Sequence, residues 1–258
     1  MARGSESSFR EGVSKRYPVL EALLGEPKSK RALTEELPHS RSTVDRAIRE
    51  LQSLGCVDTV DSAGRYRVTH VGRLGFEYER TYRERMATVA DSAALLEGVP
   101  ADAPLATEFV AGMQAHVSRR APDVAFQPGR ELVERADRLR GTATVVRRQY
   151  FDVLGEQVHS DGFELELVLD GGLVEVINRN YAAEFASLTE AAGVTILESE
   201  DPIPYALWLT DDDGGTTAGI TLHADGGVKG SMTNAAPAAV EWAESQYEQY
   251  RANAVRVV

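Results

Sequence analysis

The chain has 258 residues, 43% of them apolar, and a formal net charge of −12, which is length and apolar material for two domains with their own cores. It contains no run of about 18 apolar residues, and its first ten residues lack the apolar segment of a signal peptide, so neither a membrane partner nor secretion is expected and the location implied is cytoplasmic. A single cysteine, Cys56, excludes an internal disulfide and a cysteine-rich zinc site.

The charge is unevenly spread. Residues 1–85 carry 16 Lys+Arg against 13 Asp+Glu, whereas residues 86–258 carry 12 against 27. A less acidic front end suits phosphate contact, and an acidic remainder repels nucleic acid. Lysine occurs only at 15, 28, 30 and 229, against abundant arginine. An acidic, lysine-poor surface is a habit of proteins from salt-rich cytoplasm.

Residues 1–12 are polar and are expected to be disordered at their start. Val13, Leu20, Leu23 and Leu24 predict a first helix over about 14–24, closed by Gly25 and Pro27, with Pro18 disturbing its beginning. Ser29 to Leu37 gives a second short helix with Ala32, Leu33 and Leu37 inward. After the turn Pro38-His39-Ser40, the residues Val44, Ala47, Ile48, Leu51 and Leu54 recur at helical steps up to Gly55, with Ser40 as N-cap. The opposite side carries Arg41, Ser42, Thr43, Asp45, Arg46 and Arg49, hydroxyl and guanidinium groups of the kind that bond base edges and phosphates. Taken by itself, such a helix is equally well a capped surface helix with a solvated charged side.

Its neighbours decide between these readings. Cys56–Val60 and Arg65–Thr69 are two short strands around the polar turn 61–64, and alternation puts Arg65 and Arg67 on the solvent side. A hairpin directly behind a helix-turn-helix makes a winged-helix domain over 10–69, with Arg41, Ser42, Thr43, Arg46 and Arg49 entering a major groove and Arg65 and Arg67 on the wing. The partner implied is double-stranded DNA. The competing reading is a winged helix used for protein contacts.

Thr69 then caps a long helix to about Leu96, spanning 70–97 as connector and dimerisation helix. Val71, Leu74, Tyr78, Tyr82, Met86, Val89, Ala93 and Leu96 form a continuous apolar stripe, with Gly72 and Gly75 weakening its first turns. That stripe needs a cover, and a homodimer is the better expectation because paired half-sites are how such modules gain specificity.

Residues 98–104 read as a linker, and 104–258 as an α/β domain. Its expected elements are a helix over 130–139, a strand over 142–146, a helix over 150–158 and a strand over 163–169. Helices over 173–178 and 181–192 follow, then strands over 194–197 and 205–209, expected side by side. The domain closes with a hairpin joining 217–222 to 228–233 through Asp225-Gly226, and a last helix from Pro237 to about Ala254. This alternation implies a mixed sheet.

Catalytic signatures are missing from this second domain. There is no glycine-rich phosphate loop and no nucleophile elbow, and the five histidines, 39, 70, 116, 159 and 223, are not spaced for a metal. His223 with Asp225 falls at a hairpin turn, where solvated polar residues are the norm. Asp211-Asp212-Asp213-Gly214-Gly215 lacks the glutamate of a calcium loop, its place being taken by Leu222. Candidates for a small-molecule effector are Arg147, Glu200, Pro204, Tyr205, Lys229 and Asn234, which the pattern puts at strand ends. No cofactor and no metal are implied.

The whole chain, over about 10–255, resembles the archaeal methanogenesis/filament-regulator family of winged-helix transcription factors, numerous in haloarchaea. The residues that carry the resemblance are Ser40-Arg41-Ser42-Thr43-Val44-Asp45-Arg46, Gly64 to Thr69 running into Gly72, Pro202 to Leu207, Lys229-Gly230-Ser231 with Asn234, and Ala239 to Ala243 before Tyr247 and Tyr250. The resemblance implies a two-domain α/β regulator whose second domain is phospholipase-D-like. Phospholipase D chemistry needs His-x-Lys-x4-Asp, and no histidine here has a lysine two residues on. The expectation is therefore a non-catalytic effector domain that either senses a small molecule or only holds the dimer, with a phosphodiesterase as the enzyme alternative.

Overall fold

A computed structural model of the chain describes residues 2–61, 64–117, 122–160, 162–224 and 227–258. The chain divides into two compact units, Met1–Ala87 and Thr88–Val258.

The first unit opens with helices α1 (Ala2–Lys15) and α2 (Tyr17–Leu23), the two-residue strand β1 (Lys28–Ser29), and helices α3 (Lys30–Glu36) and α4 (Arg41–Ser53). The hairpin β2 (Val57–Thr59) and β3 (Arg65–Val68) follows, then α5 (His70–Asp91). Helix α4 forms where its periodicity puts it. The Ser40 hydroxyl accepts from the Thr43 amide at 3.2 Å, and Gly55, at φ 72°, takes the left-handed turn that ends it. Val44, Ala47, Ile48 and Leu51 are fully buried, joined in one core by Val19, Leu20, Leu23, Leu33 and Cys56. The three strands pair antiparallel in the order β1-β3-β2. This is a winged helix-turn-helix. Ser62 and Ala63 of the expected wing turn lie outside the described residues.

Two expectations fail in this unit. Residues 2–12 are helical: α1 starts at Ala2 and runs to Lys15, with Phe9 and Val13 packed on the core. The long helix does not reach Leu96 unbroken, because the chain departs from helical geometry at Ser92, where φ is −100° and ψ 4°, before the short α6 (Ala93–Leu96). The glycines of α5 also have a role the propensity argument missed. A Cβ on Gly72 would lie 2.1 Å from the Cys56 carbonyl oxygen, so glycine is what lets α5 cross the hairpin closely.

The second unit holds an eight-stranded mixed sheet. After α6 come α7 (Thr107–Val110), β4 (Gln114–His116), α8 (Pro122–Glu134), β5 (Arg138–Ala143), α9 (Arg148–Gln157) and β6 (Glu164–Leu169). Then follow α10 (Leu173–Asn180), α11 (Ala182–Thr189), β7 (Val194–Ser199), β8 (Ala206–Asp212), β9 (Gly215–Ala224), β10 (Gly227–Asn234), α12 (Pro237–Ala252) and β11 (Ala254–Arg256). The strand order is β11-β7-β6-β5-β8-β9-β10-β4, with β5, β6 and β7 parallel and the remaining pairs antiparallel. Side-chain alternation sends neighbours to opposite faces. On β8, Leu207 and Leu209 join a core with Ala239, Ala243 and Tyr247 of α12, while Trp208 packs on the other face with Phe185 and Leu188 of α11.

Four sequence readings are corrected here. The helix expected over 130–139 ends at Glu134, and Leu139 belongs to β5. That strand was displaced to 142–146 because Gly141 interrupts its pattern. A Cβ there would lie 2.6 Å from the Leu207 carbonyl oxygen, so the glycine marks a close strand approach rather than a break. Strand β8 pairs with β5 and β9, not with β7, because β7 already lies between β6 and β11. Residues 98–104 do not behave as a free linker: Val99 and Ala103 pack on the α12-side core, and the Tyr205 hydroxyl donates to the Pro104 carbonyl oxygen. Asp225 and Gly226, the expected hairpin turn between β9 and β10, lie outside the described residues.

Candidate functional site

The exposed side of α4 is built by the burial of its other side. With Val44, Ala47, Ile48 and Leu51 fixed in the core, Arg41, Ser42, Arg46 and Arg49 stand in solvent and Thr43 is half-buried. Three hydroxyls cluster at the helix start, Ser40 Oγ lying 2.9 Å from both Ser42 Oγ and Thr43 Oγ1. Arg49 Nε donates to the Asp45 carbonyl oxygen at 3.2 Å. The Asp45 carboxylate pairs with Lys30 Nζ at 2.6 Å, which holds its pKa below the ordinary carboxylate range and raises that of Lys30. Asp45 is thereby neutralised on a side otherwise cationic. Arg46 makes no hydrogen bond or ion pair among the described residues.

On the wing, Arg65 and Arg67 are exposed on β3, while Tyr66 and Val68 pack on the core. Arg65 Nη2 is held by Asp61 at 2.7 Å, so Arg67 is the freer cation of the two. The seven candidates thus share one domain, five on α4 and two on the wing.

The apolar stripe of α5 is largely exposed, with the Arg10 guanidinium 4.5 Å over the Tyr82 ring. Val71, Leu74, Tyr78, Tyr82, Met86 and Val89 are between 41% and 76% exposed. The helix turns a different side inward, where Gly72 and Phe76 are buried, Phe76 stacks on Tyr17 at 4.5 Å, and Glu79 is paired with Arg83 at 2.7 Å.

The six effector candidates are not brought together. Tyr205 is buried in the α12-side core, and the Asn234 amide nitrogen donates to the Phe109 and Ala111 carbonyl oxygens at 2.8 and 3.0 Å, tying β10 to α7. Lys229 is half-buried beside Gly98. Pro204 is half-buried and Glu200 exposed on the loop before β8. Arg147 lies on the opposite side of the sheet, its charge acting on Tyr150 and His223. Those two residues were not among the candidates. Tyr150 Oη stands 2.7 Å from His223 Nε2, and both line a cavity of about 150 Å³ between the sheet and α8–α11. Burial, with the Arg147 charge, pushes the His223 pKa down to about 4, and burial pushes Tyr150 up to about 12. A local signal was His223 itself, an imidazole following the buried residues Ile220, Thr221 and Leu222 on β9.

The Asp211–Gly215 cluster forms a hairpin bend in which Asp211 faces Arg140 at 3.4 Å and Asp212 faces Arg135 at 2.8 Å. No group of three metal-ligating side chains occurs among the described residues. No helix among them is long and apolar enough to cross a membrane.

Residues 122–253 match the family model described as methanogenesis regulatory protein FilR1, middle domain. The chain belongs to the FilR1 family. Residues 5–91 match a second model, the HVO_A0261 N-terminal domain, so the FilR1 match and this one together span both units. This is the family to which the Pro202–Leu207 and Lys229–Asn234 motifs pointed. No curated protein matches this FilR1 family chain. Among solved structures it is similar to TrmBL2, an archaeal chromatin protein whose structure shows a novel mode of DNA binding, at 15% identity and TM-score 0.44, covering 95% of this chain and 93% of that one. It is similar also to Nuc, a phospholipase D family member from Salmonella typhimurium, at 13% identity and TM-score 0.41, covering 56% of this chain and 97% of that one. A third similarity, to the polyphosphate kinase of Porphyromonas gingivalis, has 14% identity and TM-score 0.38 and covers 64% of this chain and 26% of that one. Likenesses at these scores carry no functional argument.

Proposed function

We propose that the protein is a sequence-specific DNA-binding transcription regulator that acts as a homodimer, with the second unit as a non-catalytic, effector-sensing domain. The observation that carries the reading is the presentation of α4. One side is sealed completely in the core, and the other offers Arg41, Ser42, Thr43, Arg46 and Arg49 to a groove, with Arg65 and Arg67 on the adjoining wing. In this reading Arg46, with no partner among the described residues, reads a base edge. Arg41, Arg49 and the wing arginines meet phosphates. The homodimer is supported by the largely exposed stripe of α5, whose six large apolar side chains would gain most from a second copy of the same helix.

The experiment is selection of bound duplexes from a random pool, followed by anisotropy titrations of the enriched sequence at two salt concentrations. The reading expects a convergent motif with two related half-sites, and affinity that falls steeply with salt as counterions are released. A pool that does not converge, or salt-independent binding, favours the protein-adaptor reading.

A further inference from the structure

Opposite α12, the sheet and helices α8–α11 line the cavity of about 150 Å³. Its walls are almost wholly apolar and rich in aromatic rings, Phe126, Phe151, Phe185 and Trp208 among them. Two glycines fit the chain around the Trp208 ring. A Cβ on Gly219 would fall 2.1 Å from it, and one on Gly129 would fall 3.3 Å away. The ring is fixed further by its Nε1, which donates to Thr221 Oγ1 at 3.1 Å. Dry apolar cavities of about this volume take up a single benzene-sized ring.

One end of the cavity is polar. The Arg147 charge acts on Tyr150, whose Oη lies 2.7 Å from His223 Nε2. When the Tyr150 hydroxyl donates to Nε2, the imidazole proton sits on Nδ1. Nδ1 is buried and has no hydrogen-bond partner among the described residues. A buried N–H without an acceptor costs free energy that a ligand oxygen recovers. The low pKa of His223 keeps the ring neutral near neutral pH, so the donor is uncharged.

We propose that this cavity binds a compact, predominantly apolar, ring-bearing molecule through one hydrogen-bond acceptor received by His223 Nδ1. Sugars and sugar phosphates are the wrong chemistry, since the walls would leave most of their hydroxyls unpaired. The assignment deepens the effector-sensing part of the reading above and rests on it for any regulatory consequence. Binding itself is measured without DNA.

The test uses the full chain carrying Trp242→Phe, which leaves Trp208 as the sole indole. Acetophenone supplies a ring with one acceptor, toluene a ring with none, and glucose and inorganic phosphate the polar alternatives. Both ring probes are expected to change Trp208 emission saturably, with submillimolar Kd for acetophenone, and glucose and phosphate to leave it unchanged. Ala143→Leu, which fills the cavity, abolishes both responses. His223→Phe weakens acetophenone about five- to tenfold and leaves toluene within about twofold, a difference that loss of folding would not produce. The site is overturned by the absence of saturable ring binding, by ring binding that neither variant moves, or by glucose or phosphate binding in place of the rings. Ring binding without any change in affinity for the selected duplex supports the site and overturns the effector reading. Intact duplex affinity without ring binding overturns the site alone.

Discussion

Helices α4 and α5 belong to the same amphipathic class and meet opposite fates. Both carry apolar residues at three- and four-residue steps. In α4 the apolar side is sealed, with Val44, Ala47, Ile48 and Leu51 at 0% exposure. In α5 the apolar side faces out, with Tyr78 at 76% and Leu74 at 54%, and the helix docks through Gly72, Phe76 and Glu79 instead. Periodicity shows that a side is apolar, and the rest of the chain decides what covers it. Helix α4 lies among α2, α3 and the hairpin, all within a few turns of sequence. Helix α5 approaches the same core where Gly72 lets it in closely, and that point fixes its rotation.

Substitutions on the two helices sharpen this contrast. The largest expected effect is at Ile48. Ile48→Ala leaves a cavity in a closed core and should lower stability by about 2–5 kcal/mol, read as a drop in the urea midpoint of the first transition. Next is Arg46→Ala, which should cost about 1–3 kcal/mol of affinity and relax preference at one base pair, read by anisotropy on duplexes varied at that position. Ser40→Ala removes the hydroxyl that accepts from the Thr43 amide and should cost about 1 kcal/mol of stability, seen as a small fall in Tm with α4 otherwise intact. Tyr78→Ser should leave monomer stability within about 0.5 kcal/mol while shifting the sedimenting species from dimer to monomer. A large loss of monomer stability would mean that the outer side of α5 is already packed.

The smallest effect concerns Asp45. Lys30 holds its carboxyl below the ordinary carboxylate range, so the folded chain binds that proton less readily than the unfolded one. The pair's contribution is therefore full above the ordinary carboxylate value and fades as pH falls through it toward the lowered folded value. Asp45→Asn should flatten that part of an acid-denaturation curve and leave stability near neutrality almost unchanged, as befits an exposed pair.

The extent to which the fold could be read from sequence follows from how local each determinant is. Helix α4, its cap and the wing were legible because Ser40, the apolar steps and Gly55 lie within 16 residues. Helix α1 was not, since only Phe9 and Val13 mark its inner side, and β1 is a two-residue strand defined by its pairing with Arg65 and Tyr66. Strand β5 was displaced because Gly141 reads as a break until the Leu207 carbonyl is seen against it. The candidate arginines of α4 and β3 were found together because one short domain carries them all. The cavity was not found, because Phe126, Tyr150, Trp208 and His223 meet only when β8 and β9 fold beneath α8 and α9. No spacing rule joins residues so far apart. The glycines facing Trp208 were the trace left in the sequence, but a lone glycine in a strand marks a bulge or a bend as readily as a packed ring.

The central claim is that the outer side of α4 lies against duplex bases. It is tested most directly by following backbone amide resonances of the full chain as the selected duplex is added. The account predicts the largest shifts at Arg41–Arg49 and at Arg65–Arg67, with the buried positions Ile48 and Leu51 moving least within α4. Shifts confined to residues 88–258, with the amides of α4 unmoved at saturation, would contradict it.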